Sequence, residues 1–214
     1  MKFERIYLDL DRTLLDTDMF TTAVFSAVDS LYQIPSEQLH AEIPDYYIYH
    51  GQLRYYDFFA HMTALGLDPQ QVEADVRAYL SGGDFLFPDA HDLVKFLADT
   101  DIEVSIVSFG PANYQEFKYS LLEPLHELPF ATIMDDKADY LAAQEPKESL
   151  LVDDKLASPL PSWCTQFVID RKLTKETEQQ THRLWRVNSL RSVESALRVG
   201  YNKPNQKGTS DEAH

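Results

Sequence analysis

The spacing of hydrophobic positions changes twice along the chain. Near the N-terminus, and again from about residue 103 onward, short apolar runs have the length of buried strands. Between them, from Thr17 to about Leu80, apolar residues recur at helical spacing. Beyond this block, predicted strands alternate with predicted helices, which is typical of a parallel sheet covered on both faces. The pattern therefore predicts an α/β fold that carries a helical insertion near its start.

The predicted strands and helices follow directly from this pattern. Strands are predicted at residues 4–9, 103–108, 130–134, 149–153, 165–169 and 184–187, and the helices between and after them at residues 90–97, 111–122, 137–143 and 189–199. The inserted block is predicted to hold four helices, of which the third covers residues 53–65 and the fourth begins at Pro69 with Asp68 as its N-cap. The predicted organisation is an α/β core of residues 1–16 and 84–200, an all-helical segment of residues 17–83, and a disordered tail of residues 201–214.

Composition restricts the class of protein further. The 214 residues are 44% hydrophobic and 25% charged, which is ordinary for a globular domain. The single cysteine, Cys164, excludes an intramolecular disulfide. A net charge of −16 disfavours nucleic-acid partners. The sequence shows neither a secretory signal nor a membrane span, so we expect a cytoplasmic protein without a membrane partner. Its oligomeric state is left open.

The first predicted strand ends in two aspartates. Asp9 and Asp11 are two positions apart, so their side chains project from the same face of the strand. Neighbouring carboxylates repel each other unless a cation or a shared proton compensates them. This cost suggests a site for Mg²⁺ in which one carboxylate is a nucleophile and the other an acid or base. An acidic turn is the alternative, and this motif alone favours neither.

Two further strands end in polar residues of matching chemistry. Ser108 ends the second strand, Asp153 and Asp154 end a later one, and Lys137 lies between them. An acid pair, a hydroxyl, a lysine and a second acid pair, in this order, resemble the haloacid dehalogenase superfamily over residues 3–199. The resemblance implies a Rossmann-like parallel sheet with helices on both faces. It also implies an inserted all-α cap that closes over the site and helps to select the substrate.

The resemblance implies a role for each residue of the first two motifs. Asp9 would attack phosphorus and form an aspartyl-phosphate that water then cleaves. Asp11 would protonate the leaving alkoxide, deprotonate the attacking water and bind Mg²⁺ through its backbone carbonyl. Ser108, helped by the amides of Phe109 and Gly110, would bind a phosphoryl oxygen.

The lysine and the second acid pair complete the implied site. Lys137 would neutralise the phosphate and keep Asp9 ionised. Lys118 and Lys147 are the alternatives, although we expect Lys118 to face solvent from the middle of a helix. Asp154 is the favoured metal ligand, with Asp153 orienting Lys137 or acting as the alternative ligand, because successive strand residues point to opposite faces.

Arg12 departs from the family pattern, because the family often has glycine at this position. Its side chain is expected either to touch substrate or cap, or to point to solvent. The tyrosines of the inserted block, together with His50 and Arg54, form either a substrate lid or the core of a helix bundle.

The sequence as a whole predicts a Mg²⁺-dependent phosphomonoester hydrolase that acts on a small phosphorylated metabolite. Asp11 favours phosphoryl transfer over carbon–halogen cleavage, since dehalogenases of the superfamily lack this second aspartate. A phosphomutase and a non-catalytic phosphate-binding protein are the alternatives.

Overall fold

The computed structural model describes residues 2–51 and 53–201. In these residues, seven strands form one sheet. They are β1 (Arg5–Leu8), β4 (Glu103–Phe109), β5 (Phe130–Ile133), β6 (Ser149–Asp153), β7 (Cys164–Ile169), β8 (Thr177–Thr181) and β9 (Leu184–Val187). A separate antiparallel hairpin consists of β2 (Tyr47–His50) and β3 (Leu53–Tyr56).

Eight α-helices accompany the strands in the described residues. They are α1 (Thr17–Tyr32), α2 (Ser36–Glu42), α3 (Phe58–Ala64), α4 (Pro69–Leu80), α5 (Pro88–Ala98), α6 (Ala112–Ser120), α7 (Lys137–Ala142) and α8 (Leu190–Tyr201), with 3₁₀ turns at Ile43–Tyr46 and Glu123–Leu125. Within this part of the chain, none of the helices combines the length and apolar character needed to cross a membrane.

The strand order of the sheet determines where a ligand can bind. The order is β5-β4-β1-β6-β7-β9-β8, and every neighbouring pair except β8–β9 is parallel. The chain leaves β1 towards β4 and β5 and then returns to the other side of β1 to form β6. In such doubly wound sheets the crevice outside the carboxyl ends of the strands, where the winding reverses, is the usual ligand site. Here that crevice lies at the ends of β1 and β6.

The α/β fold predicted from the sequence is confirmed. Strands β6 and β9 have the predicted bounds, and β4 and β5 differ from them by one residue at one end. Helix α4 begins at Pro69 as predicted, and the Asp68 carboxylate accepts hydrogen bonds from the amides of Gln70 and Gln71. The predicted tail begins at Tyr201, which is the last residue of α8, and otherwise lies outside the described residues.

The predicted helix over residues 53–65 is wrong, and the inserted segment is therefore not all helical. Its first part is strand β3, which pairs with β2, and only Phe58–Ala64 is helical. Aromatic residues favour strands, and a glycine that can adopt positive φ favours a tight hairpin turn. Gly51, at φ +61°, lies in that turn. Strand β8 was also missed, because all five of its side chains are exposed and show no apolar alternation.

Aromatic stacking joins the inserted segment to the sheet-flanking helix α6. Phe58 of α3 is fully buried, and its ring stacks on Tyr114 at a centroid distance of 5.4 Å and on Phe117 at 6.0 Å. Phe20 of α1 makes an edge contact with the same Phe117 ring at 6.0 Å. These contacts fix the position of the insertion relative to the carboxyl ends of β1 and β4.

We expect Phe58→Ala to lower the free energy of unfolding by about 3–5 kcal/mol, because it removes a buried ring and leaves a cavity. Urea denaturation monitored by circular dichroism measures this loss. Tyr79→Ala is the control, since Tyr79 is 55% exposed, and it should cost less than about 1 kcal/mol. Equal losses in the two variants would contradict the assignment of Phe58 as the link between insertion and core.

Candidate active site

Three buried charged side chains meet where β1, β6 and α7 come together. Asp9 follows β1, Asp153 ends β6, and Lys137 is the first residue of α7. The Lys137 Nζ atom donates to Asp9 Oδ1 at 2.5 Å and to Asp153 Oδ2 at 2.6 Å. All three side chains are less than 10% exposed. The ammonium therefore joins two strand ends with charge-assisted hydrogen bonds.

Burial changes the proton affinities of these groups. Burial raises the pKa of Asp9 to about 7, and the nearby Lys137 ammonium opposes this shift only in part. Burial alone would lower the pKa of Lys137, but the charges of Asp9 and Asp153 outweigh it and raise that pKa, so the ammonium stays charged. Burial likewise raises the pKa of Asp154 to about 6. The site thus holds more negative charge than one lysine compensates.

The free oxygens of the acidic cluster fit a divalent cation. One ligand atom from each of Asp9, Asp153 and Asp154 can be chosen so that all lie within 4.8 Å of one another. Both oxygens of Asp153 are already used, one by Lys137 and the other by the Lys155 amide at 2.8 Å. In contrast, Asp9 Oδ2 is buried and has no hydrogen-bond partner among the described residues. An unpaired buried carboxylate oxygen beside other carboxylates suits an oxygen-preferring ion such as Mg²⁺.

Asp11 lies next to this cluster in a polar cage of its own. Lys118 Nζ contacts both Asp11 oxygens at 2.8 Å, Thr17 Oγ1 donates to Oδ1 at 3.0 Å, and Gln115 Nε2 donates to Oδ2 at 3.3 Å. Burial alone would raise the pKa of Asp11, but the Lys118 charge and these hydrogen bonds outweigh it and lower that pKa. The cage therefore holds Asp11 as a carboxylate.

The expectation that Lys118 faces solvent is wrong. The residue is only 4% exposed, and the side chain is aimed at Asp11. A signal was present in the sequence, because Tyr114, Phe117 and Leu121 form an apolar stripe on α6, and Gln115 and Lys118 border it. Polar residues beside an apolar helix face are buried when the helix packs on the sheet. The other alternative, Lys147, forms a surface ion pair with Glu103 at 2.7 Å.

The residues predicted to bind phosphate, Ser108 to Gly110, lie at the same edge of the sheet as Asp9. The Ser108 hydroxyl and the Gly110 amide already form hydrogen bonds there. Ser108 Oγ donates to Gln115 Oε1 at 3.0 Å, and the Gly110 amide donates to the Ile133 carbonyl at 2.9 Å within the sheet. The Gly110 amide is therefore not available to a phosphoryl oxygen. Gly110 has a different role, since its φ is +139° and a Cβ there would lie 2.6 Å from Gln115 Nε2.

Two connected cavities open above these residues. A small one of about 60 Å³ is lined by Asp9, Lys137, Asp153 and Phe109, with Leu53 of the hairpin at its mouth. A larger cleft of about 790 Å³ lies between the core and the inserted segment. Asp11, Leu53, Phe109 and Lys155 line both. The hairpin also touches the core directly, because Tyr55 packs edge-on against Phe109 and His50 Nδ1 lies 2.7 Å from the Met134 carbonyl.

Arg12 lines the larger cleft in an unusual backbone conformation. Its φ of +62° lies in the left-handed region, where glycine is favoured and other residues pay about 1 kcal/mol or more. Its guanidinium lies 3.2 Å from Asp18, and both side chains are mostly exposed. Arg12 thus contacts Asp18 of the inserted segment and lines the cleft, while most of its side chain is exposed to solvent.

Comparison with solved structures identifies the architecture. A HAD phosphatase from Thermococcus onnurineus aligns over 92% of this chain and 98% of its own, with a TM-score of 0.59 and 20% identity. A haloacid dehalogenase-like hydrolase from Burkholderia xenovorans aligns over 91% and 96%, with a TM-score of 0.60 and 15% identity. The chain has the haloacid dehalogenase fold. Neither a family model nor a curated protein sequence matches it.

The observed fold is the one that the resemblance of the four sequence motifs implies. A magnesium-bound hydrolase of this fold from Bacillus subtilis, YfnB, also aligns over 92% of this chain and 99% of its own, with a TM-score of 0.55 and 14% identity. At such identities the likeness establishes the fold and leaves the reaction to be argued from the site.

The raised pKa values of Asp9 and Asp154 predict a pH-dependent effect of Mg²⁺ on stability. Metal binding must displace these protons, so the affinity should fall by up to about tenfold per displaced proton for each pH unit below the pKa. We expect the rise in Tm caused by 5 mM Mg²⁺ to be clearly larger at pH 8 than at pH 5.5. Without metal, the contribution of these carboxyls to the free energy of unfolding changes with pH in the opposite direction. The folded state binds more protons than the unfolded state between about pH 4 and pH 7, so these carboxyls lower stability as the pH rises through that window.

Differential scanning fluorimetry with and without Mg²⁺ measures this effect. Asp154→Asn removes a free carboxylate of the cluster and should abolish most of the Mg²⁺-induced rise in Tm at pH 8. Asp139→Asn changes a carboxylate outside the cluster and should leave the rise intact. An equal rise in Tm at both pH values would show that these carboxyls do not hold the ion.

Proposed function

We propose that this protein is a Mg²⁺-dependent phosphomonoester hydrolase that acts through an aspartyl-phosphate on Asp9. One observation carries the proposal. Asp9 is buried with one oxygen fixed by Lys137 and the other unpartnered, while a second carboxylate, Asp11, lines the same small cavity. A nucleophile, a charge that orients it and an acid–base group are thus assembled at one crevice.

Asp9 is the nucleophile in this mechanism. Lys137 favours the ionised carboxylate and restricts its rotation, so that the oxygen it holds is oriented to attack phosphorus in line with the leaving group while the other oxygen is left to hold the ion. A bond forms between Asp9 and phosphorus while the bond from phosphorus to the leaving oxygen breaks. Water then attacks the phosphoryl group and releases phosphate and the regenerated carboxylate.

Asp11 handles the protons of both half-reactions. It donates a proton to the leaving alkoxide in the first and removes one from the attacking water in the second. The cage of Lys118, Thr17 and Gln115 favours the carboxylate form. We therefore assign the observed arrangement to the second half-reaction, in which Asp11 acts as a base. Proton donation in the first half-reaction requires the contact with Lys118 to loosen.

Asp9 and Asp154 would hold Mg²⁺, with the Asp11 backbone carbonyl as a further ligand, and Asp153 would orient Lys137. When bound, the ion supplies positive charge that offsets the carboxylates and the charge developing on the phosphoryl oxygens. Lys137 supplies a further positive charge beside Asp9. Ser108 and the Phe109 amide remain the candidates for contacting the phosphoryl group.

We further propose that residues 17–83 act as a cap that contributes the walls of the substrate cleft. The hairpin of β2 and β3 supports this assignment, since Leu53 lines the cavity above Asp9 and Tyr55 contacts Phe109. Among the structures of the same fold are proteins described as a phosphatase and as a β-phosphoglucomutase, the latter from Thermotoga maritima with a TM-score of 0.54 over 91% of this chain and 99% of its own at 14% identity. Both names denote reactions of phosphate esters, the substrate class that we propose for this protein.

Asp9→Asn should abolish phosphate release, because the amide is a poor nucleophile and can no longer be held by Lys137 as an anion. We expect a loss on the order of 10³-fold or more in kcat on an aryl phosphate. The measurement is phosphate release with Mg²⁺ and with EDTA. Asp99→Asn, at an exposed site that lines neither cavity, is the control. Activity in Asp9→Asn close to that of the wild type would exclude the covalent mechanism.

The three candidate lysines should separate into two groups when each is replaced by methionine. Lys137→Met and Lys118→Met should each lower kcat by at least about 10²-fold, since each removes the cation from a carboxylate of the mechanism. Lys147→Met breaks only a surface ion pair and should have less than about a threefold effect. Steady-state kinetics at saturating Mg²⁺ make the comparison, and near-normal turnover of Lys118→Met would remove Lys118 from the mechanism.

A further inference from the structure

Within the part of the chain that the structure describes, Arg54 differs from the other arginines because it forms no ion pair. The chain carries a net charge of −16, so carboxylates are abundant near any surface cation. Within the described residues, the other eight arginines each lie within 4 Å of a carboxylate oxygen, and they are Arg5, Arg12, Arg77, Arg171, Arg183, Arg186, Arg191 and Arg198. Arg54 is exposed and has no such partner among these residues.

The hairpin holds the Arg54 side chain against an aromatic ring. Arg54 pairs with Tyr49 across the two strands, and its guanidinium carbon lies 4.6 Å from the centroid of the Tyr47 ring. Stacking on a ring orients a guanidinium without using its N–H donors. Its planar edge therefore remains free to bind a carboxylate or a phosphate in the two-pronged geometry that arginine favours.

Arg54 lies on the leaving-group side of the proposed reaction centre. It lines the large cleft of about 790 Å³, together with Asp11, Arg12 and Lys155. Asp9 and Lys137, which act on the phosphoryl group, line only the small cavity. Asp11 belongs to both cavities, as expected of a group that exchanges a proton with the leaving oxygen. The part of the substrate beyond that oxygen therefore extends towards Arg54.

Two cations of the core line the same cleft. Lys155 is exposed and forms no ion pair in the described part of the chain. Among the described residues, the ion-pair partner of Arg12 is exposed Asp18, a contact that costs little to exchange for another anion. Arg12 and Lys155 come from the core and Arg54 from the inserted segment, so an anion bound by them would bridge the two.

We propose that Arg54, assisted by Arg12 and Lys155, forms a subsite for a second anionic group. The preferred substrate is then a phosphomonoester whose alcohol part carries a carboxylate or a second phosphate. This inference rests on the proposed phosphatase activity and adds a substrate class to it. The second anionic group of the substrate does not bind at Lys137, because the Lys137 ammonium is buried and already engaged by two carboxylates.

Matched substrates test the proposal directly. 3-Phosphoglycerate and glycerol 3-phosphate differ by a carboxylate in place of a hydroxymethyl group, and fructose 1,6-bisphosphate and fructose 6-phosphate differ by a second phosphate. We expect kcat/KM to favour the doubly anionic member of at least one pair by about tenfold or more, which corresponds to about 1.4 kcal/mol. The pair that shows the preference identifies whether the subsite binds a carboxylate or a phosphate.

Arg54→Gln should reduce that preference at least about tenfold, and Arg54→Lys should restore only part of it because the charge returns without the planar fork. Arg191→Gln removes an exposed arginine that lines neither cavity and should keep the preference. The subsite would be overturned if the wild-type protein did not prefer the doubly anionic substrate in either pair, or if Arg54→Gln kept that preference. Either result would leave the phosphatase proposal intact.

A binding measurement keeps the two proposals distinguishable. In the Asp9→Asn background with Mg²⁺, calorimetry gives Kd for the preferred doubly anionic ester and for its matched partner. We expect Arg54→Gln to weaken binding of the former by about tenfold and to remove its advantage over the latter. If wild-type protein hydrolyses none of the esters but this binding difference is seen, the phosphatase proposal fails and the anion subsite stands. Equal affinities with and without Arg54 overturn the subsite.

Discussion

The arrangement of the site depends on one buried ammonium. Removing a carboxylate from water costs several kcal/mol unless a charge partner is fixed beside it. Lys137 supplies that partner to Asp9 and Asp153 together, and it does so from the first turn of α7. Lys137 holds one oxygen of Asp9 and leaves the other without a partner among the described residues, whereas the second oxygen of Asp153 accepts from the Lys155 amide. Lys137 thus positions both the proposed nucleophile and the carboxylate oxygen that would hold the cation.

The sequence could predict that Asp9 and Asp153 lie close together, because the positions of both depend on strand ends alone. Parallel strands present their carboxyl ends at one edge, so aspartates that end β1 and β6 must lie near each other whatever the details of packing. Lys118 could not be placed in the same way. Its position depends on how α6 is rotated about its axis, and that rotation is set by Tyr114 and Phe117 packing on Phe58 of the inserted segment.

The hairpin marks a second limit of sequence-based prediction. Tyrosines occur in the cores of helix bundles as well as in strands, and four-residue strands are too short for a period to be recognised. The error matters for function, because the pleat of a hairpin sends alternate side chains to opposite faces. His50 and Tyr55 contact the core, whereas Arg54 lies against Tyr47. A helix over the same residues would have given a different cleft wall.

The cations near the site fall into two groups, buried lysines that pair with active-site carboxylates and exposed cations that line the cleft. The buried lysines, Lys118 and Lys137, form ion pairs with carboxylates that the proposed mechanism uses. Because their charges are buried and paired, they cannot bind a second anionic group far from the reacting phosphate. A strongly acidic surface would repel an ester that carries two anions. Exposed cations at the cleft, above all Arg54, which forms no ion pair within the described residues, are therefore the groups through which such a substrate could be admitted and oriented.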